Sequence, residues 1–110
     1  MRLKTENVAA SGVKITRVLK GKAVGRAYLY VLTNGLHDRP FGFMEDVFVE
    51  PEHRGGDIGT ALVMRVIAEA KKRGCYKLVA TSRHERDRVH ALYLKLGFKD
   101  HGKEFRIDFD

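Results

Sequence analysis

The sequence predicts a mixed α+β fold in which helices pack on a central mixed, mostly antiparallel sheet, with the element order β-β-β-α-β-α-β. In the first half of the chain, three consecutive segments resemble strands, and the first of them, residues 13–20, alternates apolar and polar residues as a half-buried strand does. Strands and helices alternate only in the second half, which favours a mixed sheet over a doubly wound parallel one. With 110 residues, 44% of them hydrophobic, the chain can bury one small core, so we expect a single domain over residues 1–110.

The first three strands are expected over residues 13–20, 23–33 and 41–50. Lys20-Gly21-Lys22 separates the first two strands by a short turn, so a hairpin is their simplest pairing. Pro51 ends the third strand because proline cannot donate to a sheet ladder.

The remaining elements are expected as a helix over 59–73, a strand over 76–81, a helix over 86–96 and a final strand over 103–109. Apolar residues recur at helical spacing in both helical segments, and Gly74 and Gly97 follow them as C-terminal caps. The last segment, KEFRIDF, alternates apolar and polar residues. The third and fourth strands should be parallel, joined by a right-handed crossover through the first helix.

The overall composition excludes several classes of protein. No apolar run approaches the roughly 20 residues of a membrane-spanning helix, and the first residues lack the apolar core of a signal peptide. The lone Cys75 excludes an internal disulfide framework and suits a reducing compartment, so we expect a cytoplasmic protein. The five histidines are scattered without the spacing of metal ligands, and we expect no metal. The net charge of +7 favours anionic partners.

The stretch HRGGDIGTAL, residues 53–62, lies between the third strand and the first helix. The start of a helix carries unpaired N–H groups and a partial positive charge, which together attract phosphate. Glycines leave these groups accessible, and Arg54 adds a fixed charge. Neither the dinucleotide fingerprint G-x-G-x-x-G nor the phosphate loop G-x-x-x-x-G-K-[ST] is matched. These features alone leave a phosphate site and an ordinary strand-to-helix turn equally open.

Two blocks of the sequence together resemble one family. Residues 54–59, RGGDIG, are similar to the R/Q-x-x-G-x-G/A motif that follows the fourth strand in the GNAT superfamily of acetyl-CoA-dependent N-acetyltransferases. Residues 88–98, RVHALYLKLGF, resemble the family's late helix, A-x-x-x-Y-x-x-x-G-F. Both blocks lie in the family's order and separation, and the resemblance covers residues 41–109. It implies a GNAT-like fold and the transfer of an acetyl group from acetyl-CoA to a primary amine of a small molecule or a protein, by direct attack in a ternary complex.

The resemblance also implies a binding site for acetyl-CoA. Backbone N–H groups of the third strand would polarise the thioester carbonyl, and the loop and helix start would bind the pyrophosphate. Arg86 replaces an asparagine of the family that contacts the cofactor, and its guanidinium can reach a phosphate of CoA. The expected cofactor-binding residues are Val47, Phe48, Val49, Arg54, Gly55, Gly56, Asp57, Ile58, Gly59, Thr60 and Arg86.

Catalysis would need a base for the attacking ammonium and an acid for the departing thiolate. Glu45 and Asp46 are the carboxylates of the family's central strand. Adjacent residues of a strand face opposite ways, so only one should face the site, and we favour Glu45, with Asp46 or a water relay as alternatives. Tyr93 matches the family's proton donor, although its place on the second helix also fits a packed core aromatic.

The sequence departs from the family at two points. Asp57 occupies a position that is usually glycine in the family. The glucosamine-6-phosphate N-acetyltransferases, which the chain also resembles at residues 45–47 and 74–77, often have a residue with a side chain at this position. The carboxylate of Asp57 must then point away from the phosphates, where it would cap the helix. The two helices that usually lie between the first two strands and wall the acceptor site have no counterpart. The exposed edge of the hairpin leaves room for a homodimer that completes the pocket.

Two other classes of function remain open from the sequence. A CoA-binding regulatory module would use the same scaffold to contact a partner protein without turnover. A small basic nucleic-acid-binding domain would interleave aromatic and basic residues on an exposed sheet, as Tyr28, Tyr30 and Phe41 do faintly with Arg26, but these aromatics more simply pack a core.

Overall fold

A computed structural model describes all 110 residues of the chain. Two helices and a four-stranded sheet account for its regular structure, together with one short 3-10 turn at Pro51–His53. The elements are β1 Ala10–Leu19, β2 Lys22–Leu32, β3 Phe41–Val49, α1 Ile58–Lys72, β4 Leu78–Ala80 and α2 Asp87–Lys95. None of the helices is long and apolar enough to cross a membrane.

The sheet is mixed and mostly antiparallel, as predicted. Its strands lie in the order β1-β2-β3-β4, with antiparallel pairing from β1 to β3 and parallel pairing between β3 and β4. A two-residue turn joins β1 to β2, with positive φ at both Lys20 and Gly21, the conformation that suits the twist of a tight hairpin. The predicted hairpin and the predicted parallel crossover pairing are therefore both confirmed.

The core lies between one face of the sheet and α1. Buried apolar side chains of β2 and β3 meet those of the helix: Val24, Ala27, Leu29, Met44, Leu62, Val63, Val66 and Ala70. The sheet approaches the helix so closely that a Cβ on Gly25 would lie 3.1 Å from both Ile58 Cγ2 and Leu62 Cδ1. This close packing fixes the start of α1 against β2.

Glu69 is the buried charged residue of this layer. Its carboxylate accepts hydrogen bonds from Arg65 Nε at 3.2 Å and Arg73 Nε at 3.4 Å, one helical turn away on either side. The hydrogen bond from Arg65 is the largest cause that lowers the pKa of Glu69, and it outweighs the opposing effect of burial. Glu69 is therefore held in its ionised form on α1.

Both helices end as the glycines predict. Gly74, at φ 79°, donates to Lys71 O, and the next amide, of Cys75, donates to Ala70 O. This is the Schellman arrangement, which requires a left-handed residue after the helix. Gly97, at φ 105°, repeats the arrangement at the end of α2.

Contacts within the chain divide it into two compact units, Met1–Ala80 and Thr81–Asp110. The first unit contains the whole sheet and α1, and the second contains α2. In the second unit, the rings of Tyr93 and Phe98 lie 5.1 Å apart, and the Phe98 amide donates to Tyr93 O. Tyr93 thus contributes to the end of its own helix through both its ring and its carbonyl.

The predicted final strand at 103–109 is wrong. These residues form no strand, and the apolar side chains of Phe105, Ile107 and Phe109 are 78% to 95% exposed. On the intervening positions, Arg106 and Asp108 form an ion pair of 2.8 Å. Alternation gives the segment one apolar and one polar side, but a strand exists only when a neighbour satisfies its backbone. The segment has no such neighbour, so the element order ends at α2.

Candidate functional site

A β-bulge interrupts the middle of β3. The register passes from Arg26 opposite Phe48 to Tyr28 opposite Glu45, so two residues of β3 face the single residue between them on β2. One of these two residues is Asp46, whose φ of 50° lies in the left-handed region that aspartate tolerates better than most side chains. A bulge leaves backbone groups of the bulged strand outside the ladder. One of them, the Asp46 amide, donates to Glu45 Oε2 in place of a strand partner.

The bulge brings both acidic residues of β3 to one face of the sheet. Glu45 lies opposite Tyr28, while Asp46 reaches the side chain of Arg26, two residues before Tyr28 on the same face of β2. The expectation that only one of the two carboxylates faces a given side is therefore wrong. The left-handed residue breaks the strict alternation of the strand.

The two carboxylates differ in their partners. Asp46 accepts two hydrogen bonds from Arg26, at 2.8 Å from Nε to Oδ2 and 3.2 Å from Nη2 to Oδ1. The hydrogen bond from Arg26 holds the pKa of Asp46 below its usual value. Glu45 Oε2 accepts only the Asp46 amide, at 3.2 Å, and Glu45 forms no ion pair. Glu45 is thus the carboxylate of the two that no guanidinium group engages.

Two guanidinium groups contact the ring of Phe48. The central guanidinium carbons of Arg26 and Arg54 lie 4.6 and 5.2 Å from its centroid, distances typical of cation–π contacts. Arg54 Nε also donates to Val49 O at 2.7 Å. This hydrogen bond fixes the guanidinium group of Arg54 at the end of β3 and thereby sets the direction of its other N–H groups.

The loop after β3 leads directly into the start of α1. The first intrahelical hydrogen bond of α1 runs from the Ala61 amide to Asp57 O. The amides of Ile58, Gly59 and Thr60 consequently have no acceptor within the helix and form its electropositive end. Asp57 is the N-cap residue, but its carboxylate makes no capping hydrogen bond, so the expected cap by this side chain is wrong.

The loop glycines test whether a bulky anion fits here. Gly55 has a φ of 86°, so its backbone requires glycine regardless of any ligand. A Cβ on Gly56 would meet nothing within 4 Å, and one on Gly59 would meet only Val49 Cγ2 at an ordinary 3.8 Å. The chain itself therefore does not require glycine at 56 or 59. Bare backbone beside unpaired amides fits the pyrophosphate of a nucleotide-type cofactor such as CoA.

The remaining predicted site residues belong to the second unit. Arg86 is the N-cap residue of α2 and is exposed, without a capping bond of its side chain. Tyr93 lies in the last turns of α2 against Phe98. The structure thus gathers the strand and loop residues from 45 to 60 in the first unit, and Arg86 and Tyr93 with α2 in the second. No group of His, Cys, Asp and Glu side chains could hold a metal ion.

Residues 5–98 match the acetyltransferase (GNAT) family. The chain belongs to this family. It is 36% identical over 91 residues to a glucosamine 6-phosphate N-acetyltransferase of Trypanosoma brucei brucei, covering 80% of this chain and 58% of that protein. It is 32% identical over 95 residues to an aminoglycoside N(6')-acetyltransferase type 1 of Stenotrophomonas maltophilia, covering 84% of this chain and 62% of the relative. The chain thus spans about three fifths of the length of these curated relatives.

The GNAT fold is also seen among solved structures. A crystal structure of an acetyltransferase from Trypanosoma brucei superposes with a TM-score of 0.79 at 32% identity, over 89% of this chain and 69% of that one. The mixed α+β fold class is therefore confirmed, and residues 41–72 form the predicted succession of strand, loop and helix.

One group near the site was not predicted from the sequence. Arg26 binds the bulged residue Asp46 and contacts Phe48. The only sequence signal was the pair of acidic residues inside an otherwise apolar strand, since aspartate is disfavoured in strand interiors. That signal points to an irregularity at Asp46 but not to its partner on the neighbouring strand.

Proposed function

We propose that the protein transfers the acetyl group of acetyl-CoA to a primary amine by direct attack in a ternary complex. The observation that carries this proposal is the continuity of the bulged strand with the unpaired amides of Ile58, Gly59 and Thr60. Backbone donors for a thioester carbonyl and for a pyrophosphate would then lie along one segment, as extended binding of acetyl-CoA requires. Membership in the GNAT family supports this assignment.

The first unit would bind the cofactor mainly through its backbone. A backbone N–H group of Val47, Phe48 or Val49 would donate to the thioester oxygen, where negative charge develops during attack. The residues from Arg54 to Thr60 would bind the pyrophosphate through amides, with the anchored Arg54 adding charge. Arg86 would contribute a further contact to a phosphate of CoA. Acetyl-CoA supplies the activated acyl group.

Two side chains would carry the protons. Alkylammonium groups have a pKa of about 10.4, so a base must accept a proton from the amine before or during attack. Glu45 would do so, directly or through a water molecule, because Asp46 is occupied by Arg26. As the new C–N bond forms and the C–S bond breaks, the hydroxyl of Tyr93 would donate a proton or a hydrogen bond to the thiolate. With pKa values of about 10 for a phenol and 8.5 for a thiol, full transfer is mildly uphill.

The names of the relatives suggest which amines to test first. Glucosamine 6-phosphate and aminoglycosides are both amino sugars, and we propose an amino sugar as the acceptor. The basic chain, with a net charge of +7, is better suited to the phosphorylated sugar than to a polycationic aminoglycoside.

Thermal unfolding with and without acetyl-CoA tests the first step. A ligand at 100 times its dissociation constant stabilises a protein by about 2.7 kcal/mol, which raises the midpoint by roughly 10 °C for a chain of this size. The second step measures release of the CoA thiol with glucosamine 6-phosphate, aminoglycosides, polyamines and peptides. Acceptor-dependent release is expected for the amino sugars, and no thermal shift with either CoA or acetyl-CoA would exclude the proposal.

A CoA-binding module without turnover is the second candidate. It is favoured by the two-residue connection between β1 and β2, which provides no helix to wall an acceptor pocket. This candidate predicts the same thermal shift but no amine-dependent release of CoA with any acceptor of the panel. The two measurements together therefore separate the enzyme from the module.

A homodimer would supply what this short connection lacks. Strand β1 forms one edge of the sheet over ten residues, and an edge strand presents unpaired backbone groups to a partner. We propose that the protein dimerises through this edge. Light scattering should then give twice the chain mass of 12.5 kDa, whereas a monomer at all concentrations would exclude the dimer.

A further inference from the structure

Asp46 has an unusual backbone conformation for a residue inside a strand. Its φ of 50° is disfavoured for residues with a Cβ, although aspartate and asparagine tolerate it. It occurs at the bulge, where the ladder between β2 and β3 is locally interrupted. Something other than the regular ladder must therefore hold the backbone in this conformation.

The ion pair with Arg26 provides such a hold. Both oxygens of the Asp46 carboxylate accept hydrogen bonds from the same guanidinium group, at 2.8 and 3.2 Å, so the carboxylate is fixed in direction as well as in position. The guanidinium carbon lies 4.6 Å from the centroid of Phe48, which restricts it in turn. The pair thus ties β2 to β3 across the interrupted part of the ladder.

We propose that Arg26 and Asp46 act as positioning residues for acetyl transfer. Their ion pair holds the left-handed bulge, and the bulge sets the direction in which the backbone N–H groups of Val47, Phe48 and Val49 point, including the one that would face the thioester oxygen. The catalytic consequence rests on the proposed function, whereas the effect on the backbone does not.

The exposure of the pair explains why its effect should be local. The side chains of Arg26 and Asp46 are 39% and 49% exposed, and ion pairs that are this accessible contribute little to global stability. Loss of the pair should therefore loosen the bulge without unfolding the protein. A loosened bulge misdirects the donors for the developing oxyanion, which lowers kcat more than it weakens the binding of CoA at the helix start.

The test is a double-mutant cycle of Asp46→Asn, Arg26→Gln and the two together. Asparagine keeps the size of aspartate and its tolerance for the left-handed region, so the variant removes only the charge. Asp108→Asn is the control, because Asp108 forms an equally short but more exposed ion pair with Arg106 in the second unit. Thermal midpoints of all variants are measured to show that each remains folded.

The first readout is hydrogen exchange of the amides at residues 45–49, measured by NMR without ligand. We expect exchange there to accelerate about three- to fivefold in each single variant, the size that an exposed pair of good geometry provides. The double variant should exchange no faster than the singles, because each of them already removes the interaction. The control should leave these amides unchanged.

The second readout is steady-state turnover with acetyl-CoA. We expect kcat to fall about three- to fivefold in both single variants and no further in the double variant, with the dissociation constant of CoA unchanged. Unaltered exchange at residues 45–49, additive effects in the double variant, or an equal effect of the control would each overturn the positioning role. If the wild-type protein shows no turnover with any acceptor, the proposed function fails, and the exchange cycle still decides whether the pair holds the bulge.

Discussion

Replacing Gly59 with alanine separates the demands of the fold from those of the cofactor. Gly59 is the second residue of α1, and its amide has no acceptor within the helix. The new Cβ would lie 3.8 Å from Val49 Cγ2, an ordinary van der Waals distance, and would meet no other atom within 4 Å. The fold therefore accepts the methyl group without rearrangement.

The expected changes in stability and affinity have opposite signs. Alanine in place of glycine in a helix stabilises by about 0.5–1 kcal/mol, because glycine loses more backbone entropy on folding. If the pyrophosphate of CoA lies against this amide, the methyl group displaces it and weakens a charge-assisted hydrogen bond. Loss of one such bond costs about 1.5–3 kcal/mol, which corresponds to roughly a 10- to 100-fold weaker complex.

Urea denaturation and calorimetric titration with CoA measure the two quantities on the same variant. Gly102→Ala is the control, since a Cβ at Gly102 also meets nothing within 4 Å and the residue lies outside the loop. Higher stability with unchanged affinity would refute contact between Gly59 and the cofactor. Lower stability would refute the packing argument itself.

Four further substitutions test separate parts of the structure. Tyr93→Phe should slow turnover while leaving CoA affinity nearly unchanged, and an unaltered kcat would reduce this tyrosine to its packing role. Asp57→Gly should change the free energy of unfolding by no more than about 0.5 kcal/mol, because the carboxylate of Asp57 makes no capping bond. Calorimetric titration of the same variant should show tighter CoA binding, and an unchanged affinity would mean that the carboxylate faces only solvent. Leu29→Ala, at a fully buried position, should cost about 2–5 kcal/mol in urea denaturation, and a loss below 1 kcal/mol would contradict its place in the core. Glu69 has a lowered pKa, so its contribution to stability is complete above its usual pKa of 4.5 and is lost as pH falls through the folded-state pKa. Glu69→Gln should therefore be less stable than the wild type at pH 7 and should lose less stability on acidification. Parallel acid titrations of the two proteins measure this difference, which would be absent if the two arginines did not stabilise the charge of Glu69.

The elements predicted correctly are those whose pattern and ends agree. The hairpin of β1 and β2 has both alternation and a glycine turn, and α1 has both a helical period and Gly74 in the left-handed cap. Each such element satisfies its backbone groups locally or with its neighbour in sequence. Local sequence therefore determines them to within one to three residues at their ends.

The terminal segment shows that an alternating pattern is not sufficient for a strand. KEFRIDF alternates as well as β1 does, yet Phe105 and Phe109 remain exposed. Alternation specifies which side chains would share a face, but the partner strand is a property of the whole sheet. With one strand pattern left over and no neighbour for it, the alternation alone predicts a strand that does not form.

The loop glycines show the complementary case, in which the structure divides residues that the sequence presents as equivalent. Gly55, Gly56 and Gly59 all belong to one motif, but only Gly55 has a φ that demands glycine. For the other two, the chain provides neither a clash nor a strained backbone, while glycine at a helix start costs stability. A residue that the fold does not need and that destabilises it is explained by something outside the fold. We therefore propose that a ligand, and not the turn, accounts for glycine at these two positions, and Gly59→Ala is a sharper test of the site than any substitution at Gly55.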